Sequence, residues 1–260
     1  MLNEEERRRV AEALDRADLE RRVIDQVSKT WPGMTLPDAY AIQGLWLDRC
    51  LERGARLVGR KIGLTSRAMQ MASNFNEPDY GFLTDDMLHS DGARIEAARY
   101  CSPRLEVELA FVMGEDLQRT RCTIADVLRA TEFVTPALEL IAYRTHVPRM
   151  IVDTIADNAA AAAMVTGGRM LRPFDVDLRW VSATLSRNGV IEESGVSAAV
   201  MGHPAAGIAW LVNQLAQHGA GLKRGQYVLA GSFTRPVSVA AGDVIHADYG
   251  ALGSIGVSFA

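Results

Sequence analysis

Cysteine is scarce in this chain: three residues in 260, far apart at Cys50, Cys101 and Cys122. Odd in number and scattered, they offer neither a disulfide frame nor a zinc-ligand spacing, and they read as reduced thiols of a cytoplasmic protein. Basic residues are in slight deficit, 28 against 32 acidic, for a formal net charge of −4. That balance argues against a nucleic-acid surface, which is usually basic on one face. No apolar run reaches the roughly 18–20 residues a bilayer span needs. The longest small-residue run, Ala159–Val165, stops at Gly167-Gly168-Arg169, so no membrane segment is expected. The one dense charge cluster, Glu4-Glu5-Glu6-Arg7-Arg8-Arg9, reads as the opening of a solvated helix, acid-first as the helix dipole prefers, and not as a secretory leader. Also missing are a Gly-x-Gly-x-x-Gly turn after a strand, a phosphate-binding Gly-Lys-Ser/Thr loop, a His-Glu-x-x-His helix and a Gly-x-Ser-x-Gly elbow. These absences leave the chemistry to carboxylates.

A hydrophobic content of 48% and a charged content of 23% fit an ordinary globular protein with one good core. Residues 3–29 carry apolar positions at Val10, Leu14, Val23, Ile24 and Val27 and read as a helix ended by Trp31-Pro32-Gly33. Thr35-Leu-Pro-Asp38 has the form of a capping box with proline in the first turn, opening a second helix that runs to Gly54. Beyond it, short β-branched runs and glycine turns dominate. Strands are expected at Leu57–Ile62, Leu105–Met113, Phe133–Ile141, Trp180–Arg187, Tyr227–Ala230, Val237–Val239, Val244–Asp248 and Ile255–Phe259. Helices reappear at Thr123–Glu132 and Pro204–His218, the second entered through His203. The expectation is an α+β protein, a helical segment over residues 1–55 packed on a β-rich catalytic part over residues 56–260.

Three glutamates stand inside apolar, strand-like runs: Glu106 and Glu108 in Pro-Arg-Leu-Glu-Val-Glu-Leu-Ala-Phe-Val, and Glu139 in Pro-Ala-Leu-Glu-Leu-Ile. Strand positions i and i+2 share a face, so Glu106 and Glu108 present two carboxylates side by side. Alternation permits a bland arrangement, with Val107, Leu109 and Phe111 toward the core and both glutamates in water. Glu139, flanked by Leu138 and Leu140, speaks for burial. Buried like charges must be neutralised or paired, and a hard divalent cation with oxygen ligands, Mg²⁺ or Mn²⁺, resolves that cost.

Other residues carry weaker signals. Lys61 lies between Leu57-Val58-Gly59 and Ile62-Gly63-Leu64; buried there it either exchanges protons at a lowered pKa or stays charged and holds an anion, the alternative being a lysine that snorkels from a strand end. Asp79, after Pro78, reads alone as an ordinary turn residue. Arg67 and Arg235 each sit in a small-residue loop suited to bidentate carboxylate capture, or to plain solvation. Asp153 and Asp157 share a helix face, expected to be solvated, with support of neighbouring ligands the second option.

Gly59-Arg-Lys61-Ile-Gly-Leu-Thr65-Ser66, Glu77-Pro-Asp79-Tyr-Gly81, Pro103-Arg-Leu-Glu106-Val-Glu108, Pro136-Ala-Leu-Glu139, Asp153-Thr-Ile-Ala-Asp-Asn158, Gly231-Ser-Phe-Thr-Arg-Pro236 and Asp248-Tyr-Gly occur in this order along nearly the whole chain. Together they resemble the 2-oxo-alkenoate hydratases of aromatic meta-cleavage pathways, which share a fold with fumarylacetoacetate hydrolases and 4-oxalocrotonate decarboxylases. The resemblance implies a mixed β-sheet roll with an N-terminal helical part, a divalent metal held by Glu106, Glu108 and Glu139, and a homo-oligomer, pentamer or decamer. It also implies a small 2-oxo acid substrate. Ser66-Arg-Ala-Met69 and the Phe-Thr-Arg loop look most like family members that hydrate 2-oxohept-4-ene-1,7-dioate in homoprotocatechuate breakdown. On that basis Lys61 and Asp79 are the candidates for proton traffic, and charge complementarity nominates Arg67 or Arg235 for the distal carboxylate. The competing expectations are a 2-oxopent-4-enoate hydratase, which needs no distal arginine, a 4-oxalocrotonate decarboxylase and, from a different class, a non-catalytic partner subunit of a decarboxylase–hydratase complex.

Overall fold

The computed structural model describes residues 1–260 apart from the Ala72 side chain. Its strands are β1 Leu57–Gly63, β2 Asp79–Thr84, β3 Leu88–Ser90, β4 Arg94–Ile95, β5 Arg104–Met113, β6 Thr131–Ile141, β7 Ala161–Thr166, β8 Ser182–Arg187, β9 Val190–Val196, β10 Tyr227–Leu229, β11 Val237–Ser238, β12 Val244–Asp248 and β13 Ser254–Phe259. The helices are α1 Glu4–Leu19, α2 Val27–Thr30, α3 Leu36–Glu52, α4 Arg67–Ala72, α5 Ile124–Ala130, α6 Ile151–Ala156 and α7 Pro204–Ala216. One sheet runs β2-β1-β10-β5-β6-β7-β3, with β11 also paired to β5; the second runs β4-β13-β12-β8-β9. Both are mixed: β1 and β10, β3 and β7, and β13 and β4 are parallel, the other pairs antiparallel. No helix among the described residues is long and apolar enough to cross a membrane.

The alternation of β5 decides how the sheets meet. Leu105, Val107, Leu109 and Phe111 are all at most 1% exposed and share one core with Leu185, Ile245, Ala247, Ile255 and Val257 of the second sheet. Each such Leu, Val, Ile or Phe side chain contributes about 1.5–3 kcal/mol of burial. The opposite face of β5 is also covered, since Ala110 packs with Leu83, Ala137, Ala161, Met164 and Leu229. Glu108 therefore points into a covered face, while Glu106, nearer the start of the strand, stays partly accessible. Ile255, Val257 and Phe259 alternate inward as expected.

The expected helix over residues 3–29 is instead two helices. α1 stops at Leu19; Arg21 takes φ 56°. The chain then runs extended, with Ile24 bridging Thr145 and its N–H donating to Arg144 O. A tertiary strand-like contact overrides the apolar spacing that would have prolonged the helix. α3 begins and is capped as its sequence dictates: Thr35 Oγ1 accepts from Asp38 N–H and the Asp38 carboxylate accepts from Thr35 N–H. α1 and α3 bury Val10, Leu14, Ile42 and Trp46 against Phe82 of β2 and Val152 and Ile155 of α6, which ties the helical segment to the sheet that carries the glutamates.

Five strands fall outside the expected set. The most consequential is β2, which places Asp79 in a strand where a turn was expected. Its register pairs Gly63 with Asp79 and Lys61 with Gly81. β7 is largely the alanine run, held as a strand by its pairing with β6 and not by its own propensity.

Candidate active site

Antiparallel pairing sets Glu106 of β5 directly opposite Glu139 of β6, and Glu108 opposite Ala137. Cross-strand partners share a face, so all three carboxylates converge; one oxygen from each lies within 4.8 Å of the others. Glu108 and Glu139 are buried, while Glu106 is the most accessible of the three and marks the side from which a ligand reaches them. Glu108 Oε2 accepts from Gly231 N–H at 2.8 Å, but Glu108 Oε1 and both Glu139 oxygens have no hydrogen-bond partner.

Lys61 is buried beside them. Its Nζ lies 3.2 Å from Glu139 Oε1 as an ion pair and donates its directed hydrogen bond to Ala159 O at 2.9 Å. Burial alone would lower the lysine's pKa, but Glu139, Asp79, Glu106 and Glu108 outweigh it and hold Lys61 above its ordinary value. Of the two states open to a buried lysine, these four acids favour the charged one. Asp79 is 2% exposed, its Oδ1 is without a partner, and burial raises its pKa against the pull of Lys61 and Arg149. Gly63 permits the approach of these two groups: a Cβ there would stand 2.2 Å from Asp79 Oδ1 and 3.3 Å from Lys61 Nζ.

The carboxylates are charge-frustrated. Burial, then the charge of Glu139, pushes Glu106 up to about 8. Burial with Glu139 and Glu106 lifts Glu108 well above the usual carboxylate range. Burial also raises Glu139, although Lys61 opposes the shift. One ammonium thus faces four buried or half-buried acids, with several oxygens unbonded. Oxygen donors of this kind, convergent and short of positive charge, fit a hard divalent cation.

The carbonyl that fixes Lys61 comes from an unusual turn. Asn158, Ala159 and Ala160 have φ of 53°, 49° and 64°, three consecutive left-handed residues without a glycine. Such conformations cost roughly 1–2 kcal/mol each and persist only where surroundings impose them. The imposing contact is Asn158, whose Oδ1 accepts from Phe82 N–H at 2.7 Å and whose Nδ2 donates to Phe82 O at 3.0 Å, so that the side chain pairs with β2 as a strand would. Gly81 clears the way, since a Cβ there would meet Asn158 O at 2.5 Å. In the sequence, the one signal for Asn158 is a polar residue at the head of an alanine run.

The remaining sequence candidates disperse. Arg67 opens α4 and lines an open groove of 620 Å³ with Thr65, Glu77, Trp210 and Gln214. That groove adjoins the carboxylates through Thr65, which fills the space a Cβ on Gly231 would need. Arg235 lies at the surface, its side chain 83% exposed and its guanidinium on Glu193 at 2.8–2.9 Å. Among the described residues, neither arginine makes an ion pair with Glu106, Glu108 or Glu139. Asp153 and Asp157 do not form a solvated face: both are fully buried. Asp153 accepts from Ser28 N–H, Ser28 Oγ and Met150 N–H. Asp157 is bound by Arg144 and Arg149 at 2.9 Å each. Asp153 is held by hydrogen bonds and Asp157 by two arginines, partners that helix periodicity cannot foresee. His203 caps α7 as expected, its Nδ1 accepting from Ala205 N–H at 3.1 Å.

Residues 50–259 match the fumarylacetoacetate (FAA) hydrolase C-terminal family, and the chain belongs to it. Within that class it is 50% identical over 257 residues to the 2-oxo-hept-4-ene-1,7-dioate hydratase of Escherichia coli, a match covering 96% of each chain. It is 38% identical over 259 residues to a 4-oxalocrotonate decarboxylase of Pseudomonas putida, covering 99% of this chain and 98% of that one. Among solved structures, the 4-oxalocrotonate decarboxylase of Pseudomonas putida G7, complexed with magnesium and adipate, superposes with a TM-score of 0.98 at 35% identity over 100% of this chain and 99% of that one.

Proposed function

We propose that this protein is a metal-dependent hydro-lyase that adds water to 2-oxohept-4-ene-1,7-dioate to give 4-hydroxy-2-oxoheptane-1,7-dioate, a step of homoprotocatechuate meta-cleavage. The observation that carries the reading is the convergence of Glu106, Glu108 and Glu139 within 4.8 Å, with unbonded oxygens and a charged Lys61 beside them. The 50% identity to the Escherichia coli hydratase favours hydration of the seven-carbon diacid over decarboxylation. In this reading the three glutamates hold Mg²⁺ or Mn²⁺, residues 56–260 form the catalytic part and residues 1–55 brace it. A divalent cation there supplies Lewis acidity at the carboxylate and 2-oxo oxygens of a 2-oxo acid, an effect of several kcal/mol.

The chain's own residues must then move protons. In the substrate a proton leaves C3 and one arrives at C5, which brings the double bond into conjugation with the 2-oxo group. Hydroxide from water next bonds to C4 and a proton returns to C3, so that one water is gained in all. Asp79, with its free Oδ1 and a pKa that burial raises, is suited to take and return a proton. Lys61, favoured as an ammonium by its acidic neighbours, offsets the negative charge gathered at Glu139 and is the second candidate for proton transfer. Arg67 lines the adjoining groove and is a candidate for contact with the substrate's far end; the exposed Arg235, engaged by Glu193, has the weaker case. Homo-oligomeric assembly and a cytoplasmic setting go with this reading as expectations from the family. Mass spectrometry of the product tests it: gain of one water from the seven-carbon diacid is expected. Loss of carbon dioxide from 4-oxalocrotonate without hydration would replace it with the decarboxylase reading, and no turnover of any 2-oxo acid with the partner-subunit reading.

A further inference from the structure

Two further arginines stand near the carboxylates. Arg104 opens β5, two residues before Glu106 and on the same strand face, with Glu108 two further on. A rise of about 3.3 Å per residue sets its Cα about 7 Å from that of Glu106. Its guanidinium is close enough for its charge to act on Glu106. Among the described residues it has no hydrogen-bond or ion-pair partner, although it is only half-exposed. Arg149 comes from the loop before α6 and bears on Asp79 in the same way. Both guanidiniums lie over the ring of Tyr143, Arg104 at 5.5 Å and Arg149 at 4.0 Å from its centroid. Arg149 is fixed from behind: one Nη donates to buried Asp157, and its other N–H groups have no partner. Tyr143, Arg149 and Leu64 line a cavity of 270 Å³, and Leu64 directly follows Gly63, the residue that spaces Asp79 from Lys61.

We infer that Arg104 and Arg149, gathered at the shared ring of Tyr143, are the residues that receive the distal carboxylate of a dicarboxylic 2-oxo acid. A guanidinium with unused N–H groups, pre-set by an aromatic face, matches a carboxylate in charge and in planar geometry. Glu106, the accessible member of the cluster, is the one nearest Arg104 along the strand, so a short chain anchored at the glutamates can extend toward the two cations. Arg67, in the groove that adjoins through Thr65, is the competing candidate for that task. This inference rests on the hydratase reading for the choice of a seven-carbon diacid.

The test uses Arg104→Met and Arg149→Met in the full chain. Asp157 keeps its bonds to Arg144 in the second variant. KM and kcat are measured for the seven-carbon diacid and for the five-carbon monoacid 2-oxopent-4-enoate. Loss of a charge-assisted bond predicts a rise in the diacid KM of about tenfold to a hundredfold, with the monoacid KM unchanged. Equal effects on both substrates, or none, would overturn the inference. Calorimetric binding of saturated heptane-1,7-dioate and of hexanoate, with Mg²⁺ and with EDTA, gives a readout independent of turnover. If the wild type hydrates neither substrate, the hydratase reading fails, while a diacid preference abolished in the variants still supports the arginine pair and an unchanged preference overturns it. Should Arg149→Met fold poorly, Arg104→Met and Tyr143→Ala carry the same two measurements.

Discussion

The Lys61 ammonium sits 3.2 Å from Glu139 Oε1 yet gives its directed hydrogen bond to Ala159 O at 2.9 Å. The lysine is thus oriented by a backbone carbonyl, leaving the Glu139 oxygens free while their charge is offset. Removing it should expose the frustration it now contains. Lys61→Met is expected to lower stability in EDTA by about 3 kcal/mol, as breaking a buried pair does, and Mg²⁺ should recover most of that loss. Turnover should fall about a hundredfold or more. Thermal melts with and without Mg²⁺, beside steady-state rates, check this; an unchanged melt in EDTA would show that the pair is not under strain.

Binding of the metal should release protons below pH 8. Burial and the neighbouring Glu139 charge hold Glu106 at about 8, so in the metal-free protein near neutrality its carboxyl keeps a proton that a ligand must lose. The same shift fixes the sign of the apo protein's pH dependence. Folded Glu106 binds its proton more tightly than the unfolded chain does, so stability falls as pH rises from the unfolded value, near 4.5, through about 8. Calorimetry in buffers of different ionisation heat should detect the released protons, and melts in EDTA should decline across that range.

Asp38 behaves oppositely. Burial alone would raise its pKa, but hydrogen bonds from the Thr35 hydroxyl and N–H, from Leu2 N–H and from Arg7 lower it from 3.8 to about 2. Its contribution is therefore present above pH 3.8 and is lost as pH falls toward 2. Asp38→Ala should cost about 2 kcal/mol at neutral pH and flatten the acid limb of the urea-melt profile.

Gly63 offers a test of spacing without a change of charge. A Cβ at this position would displace Asp79 Oδ1, which lies only 2.2 Å from it. Gly63→Ala is expected to reduce kcat about a hundredfold while leaving the circular-dichroism spectrum intact, since small displacements of catalytic groups carry costs of that order. Wild-type kcat in this variant would mean that Asp79 does not take part.

The signals that sequence carried well are local ones. Alternation over Glu106 and Glu108 set both on one face and flanking leucines pointed Glu139 inside, although alternation by itself also allowed the first two to face water. Thr35, Thr123 and His203 announced their helix starts because a cap needs only a few neighbouring residues. What escaped depends on partners far along the chain. Asp79 after a proline has the form of a turn until pairing with Gly63 makes it a strand. The alanines of β7 have little strand preference of their own and are extended because β6 pairs with them. Asp153 and Asp157 are buried because Ser28, Arg144 and Arg149 answer them. The pairing of Arg235 with Glu193, 42 residues away, is likewise visible only in the fold.

The most direct test of the central claim is calorimetric titration of Mg²⁺ and Mn²⁺ into the chelator-stripped protein and into Glu106→Gln and Glu139→Gln. One divalent ion per chain is expected in the wild type, with binding lost in both variants while their melts remain cooperative. Undiminished binding in the variants, or none in the wild type, would contradict the assignment of Glu106, Glu108 and Glu139 as the metal centre.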